Sequence, residues 1–384
     1  MTDVFEGIVV LDLSRGISGP YAAQCLADFG ASVTKVELPE GDFVRQLGPP
    51  DGTSGAAMFE MLNRNKSGLV LDYRTPQGAD QLRQLLDGAD VVVEDLTAEE
   101  WSHTGIDPEG LTADHPRLVH CAISAMGRSG SWSDKAVTEL ELQGIVGMPH
   151  YLDRADAAPV RVGADVCSMA AGQVAYQGIV AALYSREQTG QGQRVDVSQL
   201  QSAISLSAVM FGALDNPDEW NGHHCMARGN DPDYGYETAD EPFYFGQGLQ
   251  TEQPWLDLCE RFDLNWVNDD PRFSTRQGRA VNAPALKPIL EEVFRHHPRT
   301  ELMELLNDMG NIAVPVNDHR AVIDHPQTAA NAHRITVTLE DGSVTDTLGL
   351  PWALSETPGS IRHGAPALAT GESSTAEWKE GHAE

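Results

Sequence analysis

Residues 7–37 read GIVVLDLSRGISGPYAAQCLADFGASVTKVE, and this stretch decides the fold. Ile8 to Leu13 is a largely apolar run of strand length. Ser18, Gly19 and Pro20 follow, and Pro20 suits the first turn of a helix, where its missing N–H has no partner to lose. The helix AAQCLADF stops at Gly30, and Ser32 to Glu37 returns as a second buried strand. A strand, a helix and a strand in so short a span give a parallel pair joined by a helical crossover.

Working outward, the pattern repeats. LVLDY (69–73) reads as a strand, PQGADQLRQLLDGA (76–89) as a helix, VVVE (91–94) and LVHCAIS (118–124) as further strands. Apolar β runs separated by helices predict an α/β fold, a parallel sheet with helices on its faces. The architecture is Rossmann-like, but the first turn is RGISGP and not GxGxxG, so a dinucleotide site is not expected. SMAAGQVAYQGIVAALYSR (168–186) predicts a small-residue helix, ended by TGQGQ (189–193), with RVDVS (194–198) as the next strand. About 216–241 is polar and reads as a long loop or junction. Trp255 to Leu306 is mostly helical in pattern, and Thr336 to Thr347 predicts a hairpin turning at Asp341 and Gly342. Beyond about Thr370 the tail is expected to fray. The expected division is a large domain over 1–215, a smaller α+β domain over 216–325, and a segment over 326–384 that returns to the large domain.

The 384 residues carry 57 acidic and 26 basic side chains, a net charge of −31. Such a surface repels nucleic acid and anionic membranes, so neither is an expected partner. Strong acidity also fits life in high salt, where screening removes the self-repulsion. Cys25, Cys121, Cys167, Cys225 and Cys259 lack CxxC spacing, which argues against a zinc site and a disulfide framework. No metal is expected. The acidic start MTDVFEGIVV is unlike a signal peptide, and no uninterrupted apolar run reaches membrane-spanning length, so a cytoplasmic location is expected.

Several blocks, in order, carry a resemblance. They are residues 7–37, NRNKSGLVLDYRTPQG (63–78), GADVVVED (88–95), ELELQGIVG (139–147), IVAALYSREQTGQGQRVDVS (179–198), DDPRFSTRQGR (269–279) and LGLPWALSETPG (348–359). Together they resemble the family III CoA-transferases, the formyl-CoA transferase and carnitine CoA-transferase-like proteins. The resemblance implies a Rossmann-like large domain, a smaller domain, and an interlocked dimer. It also implies transfer of coenzyme A from an acyl-CoA to an organic carboxylic acid through an enzyme aspartate, which forms a mixed anhydride. By resemblance, Gly16, Ile17 and Ser18 would lie beside the pantetheine arm, and Leu71, Tyr73 and Arg74 beside the nucleotide.

The same comparison marks departures. The family helix reads roughly D-x-x-A-G; here SMAAG (168–172) fits that spacing, so Ser168 stands at the aspartate's position. A serine ester is less activated than a thioester, so Ser168 cannot inherit the role, although serine makes a good helix N-cap. Asp165, three residues earlier, would reach the same face if the helix began one turn sooner. Cys167 reads as a buried small hydrophobe. In EDLTAEEWSHTG (94–105), Asp95 replaces the family's asparagine, followed by Leu96, and His103 replaces an arginine; all three fall where CoA would bind. His223 and His224 are candidates for the acid's pocket. The leading expectation is therefore a non-catalytic subunit whose partner is a homologous CoA-transferase subunit carrying the catalytic aspartate. The rivals are an active homodimer using Asp165, an acyl-CoA racemase or epimerase working by an acid/base pair, and a regulatory protein that binds CoA esters.

Overall fold

The computed structural model describes residues 3–51, 55–151, 160–208, 235–246, 251–338 and 342–368. Its main sheet has six parallel strands: β1 (Val9–Asp12), β2 (Ser32–Glu37), β3 (Lys66–Val70), β4 (Val91–Glu94), β5 (Val119–Ser124) and β6 (Arg194–Ser198). They lie in the order β3-β2-β1-β4-β5-β6. The chain winds outward from β1 in both directions, the order of a doubly wound fold, whose ligand crevice lies beyond the carboxyl ends of the strands where the winding reverses. Here that is the ends of β1 and β4.

Strand alternation supplies a core on each face of the sheet. Val10, Val91 and Val93 pack on one side with Val119 and Ile123, while Leu11 and Val92 pack on the other with Leu69. Helices around this sheet include α1 (Ser18–Asp28), α2 (Pro76–Leu86), α3 (Ala98–Thr104), α4 (Glu139–Ile145), α5 (Val166–Thr189) and α6 (Gln199–Leu206). α1 and α5 cover the first face through Ala22, Leu26, Ala171, Ala175 and Ile179. α2 and α3 cover the second through Leu82, Leu85 and Trp101. Both faces are thus dry, which is why the strands read as nearly continuous apolar runs.

α1 and α5 cross closely because α5 is built of small residues. A Cβ on Gly172 would lie 2.7 Å from the carbonyl oxygen of Ser18. By length and mean hydropathy α5 could cross a membrane, but its apolarity serves the core it forms with α1.

Two expectations need correction. The strand predicted over 69–73 lies at Lys66–Val70, and Leu71 follows it, its N–H donating to Glu37 O at 2.8 Å. Polar Lys66 can enter the strand because Asp12, 54 residues away, takes its charge. Ser168 is not an N-cap: α5 begins at Val166 with Asp165 as the flanking residue.

Compact units divide the chain into 1–146, 163–206 and 326–384 on one side, and 147–162 with 207–325 on the other. In the second unit, antiparallel strands β7 (Phe243–Gly246) and β8 (Ile312–Pro315) pack with α7 (Gln253–Arg261), α8 (Ala283–Phe294) and α9 (Arg299–Asp308). Phe243, Trp255, Leu290, Phe294 and Leu302 form its core. The expected hairpin is present as β9 (Arg334–Thr338) and β10 (Val344–Leu348). The segment after it runs along the first unit: Trp352 stacks on Phe29 at 5.0 Å, and the Asn65 side-chain amide donates to Ser360 O at 2.8 Å.

Candidate functional site

The loop after β1 is set by buried charge. Asp12 is fully buried and accepts from Lys66 Nζ at 2.8 Å, from Ser14 N at 3.1 Å, and from the Ser14 hydroxyl. Lys35, also fully buried, donates to Asp42 Oδ2 at 3.1 Å and to Ser14 O. Asp42 in turn accepts the Gly16 N–H at 3.2 Å. Burial works against the Asp12 charge, but Lys35 and Lys66 outweigh it and hold the carboxyl below its ordinary range. Two lysines and two aspartates thus pin the RGIS turn, and Gly16 adopts φ +72°, which favours glycine.

That turn delivers Ser18 to Ser168. Ser18 Oγ donates to Ser168 O at 2.9 Å, and Gln199 Nε2 donates to Ser18 Oγ at 3.0 Å and to Ser168 Oγ at 3.4 Å. Ser168 is nearly buried, and its Oγ donates to Glu139 Oε2 at 2.7 Å. The first turns of α1, α4, α5 and α6 therefore meet at one point, with the Glu139 carboxylate at the positive end of α5.

Glu139 explains where α5 starts. Its Oε1 accepts the Cys167 N–H at 2.9 Å and the Gln143 amide at 2.9 Å; its Oε2 accepts the Ser168 N–H at 2.9 Å and the Ser168 hydroxyl. A side chain from another helix thus caps α5, replacing the cap expected from Ser168 itself. Burial opposes the Glu139 charge, but these four donors hold the carboxyl below its ordinary range. The four donors match the four lone-pair positions of a carboxylate.

The other sequence candidates lie in three places. Asp165 flanks α5 at φ −84° and ψ 60°, half-buried, and its side chain makes no cap bond. The turn keeps it out of helical register, so it does not join Ser168 and Glu139. Cys167 is fully buried, and burial pushes its thiol up to about 12. Beyond β4, Asp95 accepts the Arg15 N–H at 3.1 Å, and Arg15 grips Glu100 with both terminal nitrogens at 2.7 and 3.1 Å. Burial lifts the Asp95 carboxyl above its ordinary range, with Arg15 pulling the other way. Leu96 is buried and His103 is exposed on the last turn of α3.

After β3, Leu71 and Tyr73 are buried, and burial pushes the Tyr73 hydroxyl up to about 12. Arg74 is exposed, with Asp72 at 2.7 Å and Glu40 at 2.7 Å. Arg15 and Arg74 are therefore each held by two carboxylates. His223 and His224 lie outside the described residues. Among the described residues no group of histidine, cysteine and acidic side chains is placed to hold a metal ion.

Sequence reading missed Glu139, Gln199 and Arg15. Glu139 lies within ELELQGIVG, a block already singled out, but its partners are 28 and 29 residues away and no local spacing shows them.

The comparisons agree with this geometry. The CoA-transferase family III profile matches residues 5–372. The chain is 30% identical to the succinate–glutarate CoA-transferase of Agrobacterium fabrum, over 96% of this chain and 93% of the relative. It is 30% identical to the formyl-CoA:oxalate CoA-transferase of Streptomyces avermitilis, over 93% and 91%. Among solved structures, a CAIB/BAIF family protein from Brucella suis superposes with a TM-score of 0.85 at 28% identity, covering 99% of this chain and 100% of that one. With the doubly wound sheet, the pinned RGIS turn and the α5 helix in place over nearly its whole length, the chain belongs to CoA-transferase family III.

Proposed function

We propose that this chain works in the transfer of CoA between an acyl-CoA and an organic carboxylic acid, as the partner of a related chain that carries the acyl-accepting aspartate. One observation carries the reading: the carboxylate beside Ser168 belongs to Glu139, and all four of its lone-pair positions face donors. To attack a thioester carbonyl, Glu139 would have to release at least one of them. Ser168, the position of the family aspartate, is itself one of the donors. Its acyl ester would lie below a thioester in activation, so the acyl group could not return to CoA.

The partner would complete an interlocked pair, and this chain would supply the RGIS turn and a pocket wall. The named acids of its relatives, succinate, glutarate and oxalate, are dicarboxylic, so dicarboxylic acids are the first substrates to offer.

The test is native mass spectrometry of the chain from its own source, followed by Ser168→Asp. A complex with an aspartate-bearing relative, activity that needs both chains, and a hydroxylamine-sensitive acyl adduct on the relative alone support the reading. A homomer that turns over acyl-CoA by itself overturns it. One observation favours that second reading: the Asp165 side chain makes no cap bond at the head of α5. Asp165→Ala would then abolish turnover.

A further inference from the structure

We propose that the groove between the Trp132–Lys135 turn and α4 is the subsite for the free organic acid, with its carboxylate on Lys135 and its carbon chain on Trp132. The inference rests on the reading that the chain serves a reaction of organic acids, and it names where the acid is held. The groove has a volume of about 580 Å³, and its wall includes Trp132, Lys135, Val137, Thr138, Glu141 and Ile145. A tight turn builds its cationic end: Lys135 N–H donates to Trp132 O at 3.0 Å. The Lys135 ammonium lies 4.1 Å from the centroid of the Trp132 ring.

Two features point to an anionic, partly apolar ligand. In a chain of net charge −31, Lys35 and Lys66 are buried among carboxylates, whereas exposed Lys135 makes no ion pair among the described residues. Its aromatic neighbour Trp132 is 47% exposed, and Ile145 across the groove 38%. Glu141 shares the wall but does not pair with Lys135. Its carboxylate is turned to the head of α4, where it accepts the Thr138 N–H at 2.8 Å and the Thr138 hydroxyl. An ammonium without a counter-ion beside open apolar surface suits a carboxylate with a hydrocarbon body.

Glu141 also sets the direction. Its charge repels a second anionic group along the rim, so a bound acid extends away from it. Thr138 of the wall is followed at once by Glu139, which receives the Ser168 hydroxyl. Lys135 holds the near end of the acid.

Calorimetric titration of the full chain with glutarate, and with benzoate as a monocarboxylate, tests this without turnover or CoA. At least one acid is expected to bind saturably, Lys135→Ala to weaken it by about tenfold or more, and Lys135→Arg to retain most of it. Trp132→Ala is expected to weaken benzoate more than glutarate. Unchanged melting of Lys135→Ala serves as the folding control. Binding of neither acid, or equal binding by Lys135→Ala, overturns the assignment. So does a Lys135→Ala that keeps acid binding and loses 3′,5′-ADP, which would give the groove to a nucleotide. None of these outcomes bears on whether the chain pairs with an aspartate-bearing partner, which native mass spectrometry decides separately.

Discussion

Two polar clusters stand a few residues apart at the carboxyl edge of the sheet, and they are built on opposite principles. Around Asp12, four ionisable side chains are sealed from water and paired: Asp12 with Lys66, and Lys35 with Asp42. Around Ser168, one carboxylate is surrounded by neutral donors, namely two backbone N–H groups, a hydroxyl and an amide. The first cluster fixes the backbone of the RGIS turn and can do nothing else, because any change in protonation strands a buried charge. The second is half-open and carries a single negative charge. The contrast teaches that the turn is fixed by paired buried charges, whereas the head of α5 is held by one carboxylate among neutral donors.

The sharpest way to break the comparison is to unbalance the first cluster. Lys66→Ala leaves Asp12 facing Lys35 alone at 3.9 Å, and should destabilise the chain by about 3–5 kcal/mol, the usual effect of breaking a buried pair. Urea denaturation measures it. Asp12→Asn combined with Lys66→Met removes both charges, leaves Lys35 with Asp42, and should cost less than the sum of the single changes. Strict additivity would show that the four groups are not a network.

A smaller effect is expected at the second cluster. Glu139→Ala strips the acceptor from the Cys167 and Ser168 N–H groups, and should cost about 1–3 kcal/mol. The pH dependence follows from the sign of the shift. Glu139 is held below the ordinary carboxylate range in the folded chain, so its stabilisation is complete above that range and is lost as pH falls through the lowered folded value. Glu139→Gln should therefore flatten the acid limb of the stability profile and leave its neutral slope unchanged. An unaltered acid limb would mean that Glu139 is not tied to α5 in solution.

How far the sequence could be read depends on the range of the interactions. The doubly wound sheet was legible because the continuous apolar run in VVVE and the small residues in SMAAG are local patterns that packing enforces. β3 was misread by three residues because Lys66 in a strand makes sense only with Asp12 in view. Ser168 was read as the N-cap of α5, but the helix begins two residues earlier. Its cap role was misassigned because the true cap, Glu139, lies on another helix. Ser18 and Ser168 do meet, and Leu71, Tyr73 and Leu96, named for contact with CoA, are buried. Side-chain pairings across tens of residues leave no periodic trace, and functional sites are made of them.

The gentlest test lies outside both clusters, at Arg74. Its guanidinium is 39% exposed in the side chain and bridges Asp72 and Glu40 on the surface. Exposed pairs of this kind contribute about 0–1 kcal/mol, so Arg74→Ala should barely move the melting temperature. Its effect on CoA is of a different kind. Removing the cation releases two carboxylates beside the expected nucleotide path, so CoA affinity should fall by a few-fold at low salt through repulsion alone. At about 1 M salt the Debye length shrinks to about 3 Å and that repulsion is screened. Affinity of the variant should then return to that of the parent chain. A deficit that survives high salt would instead make Arg74 a direct phosphate contact. It would show that at least one cation on this acidic surface is released from its carboxylates to hold the ligand.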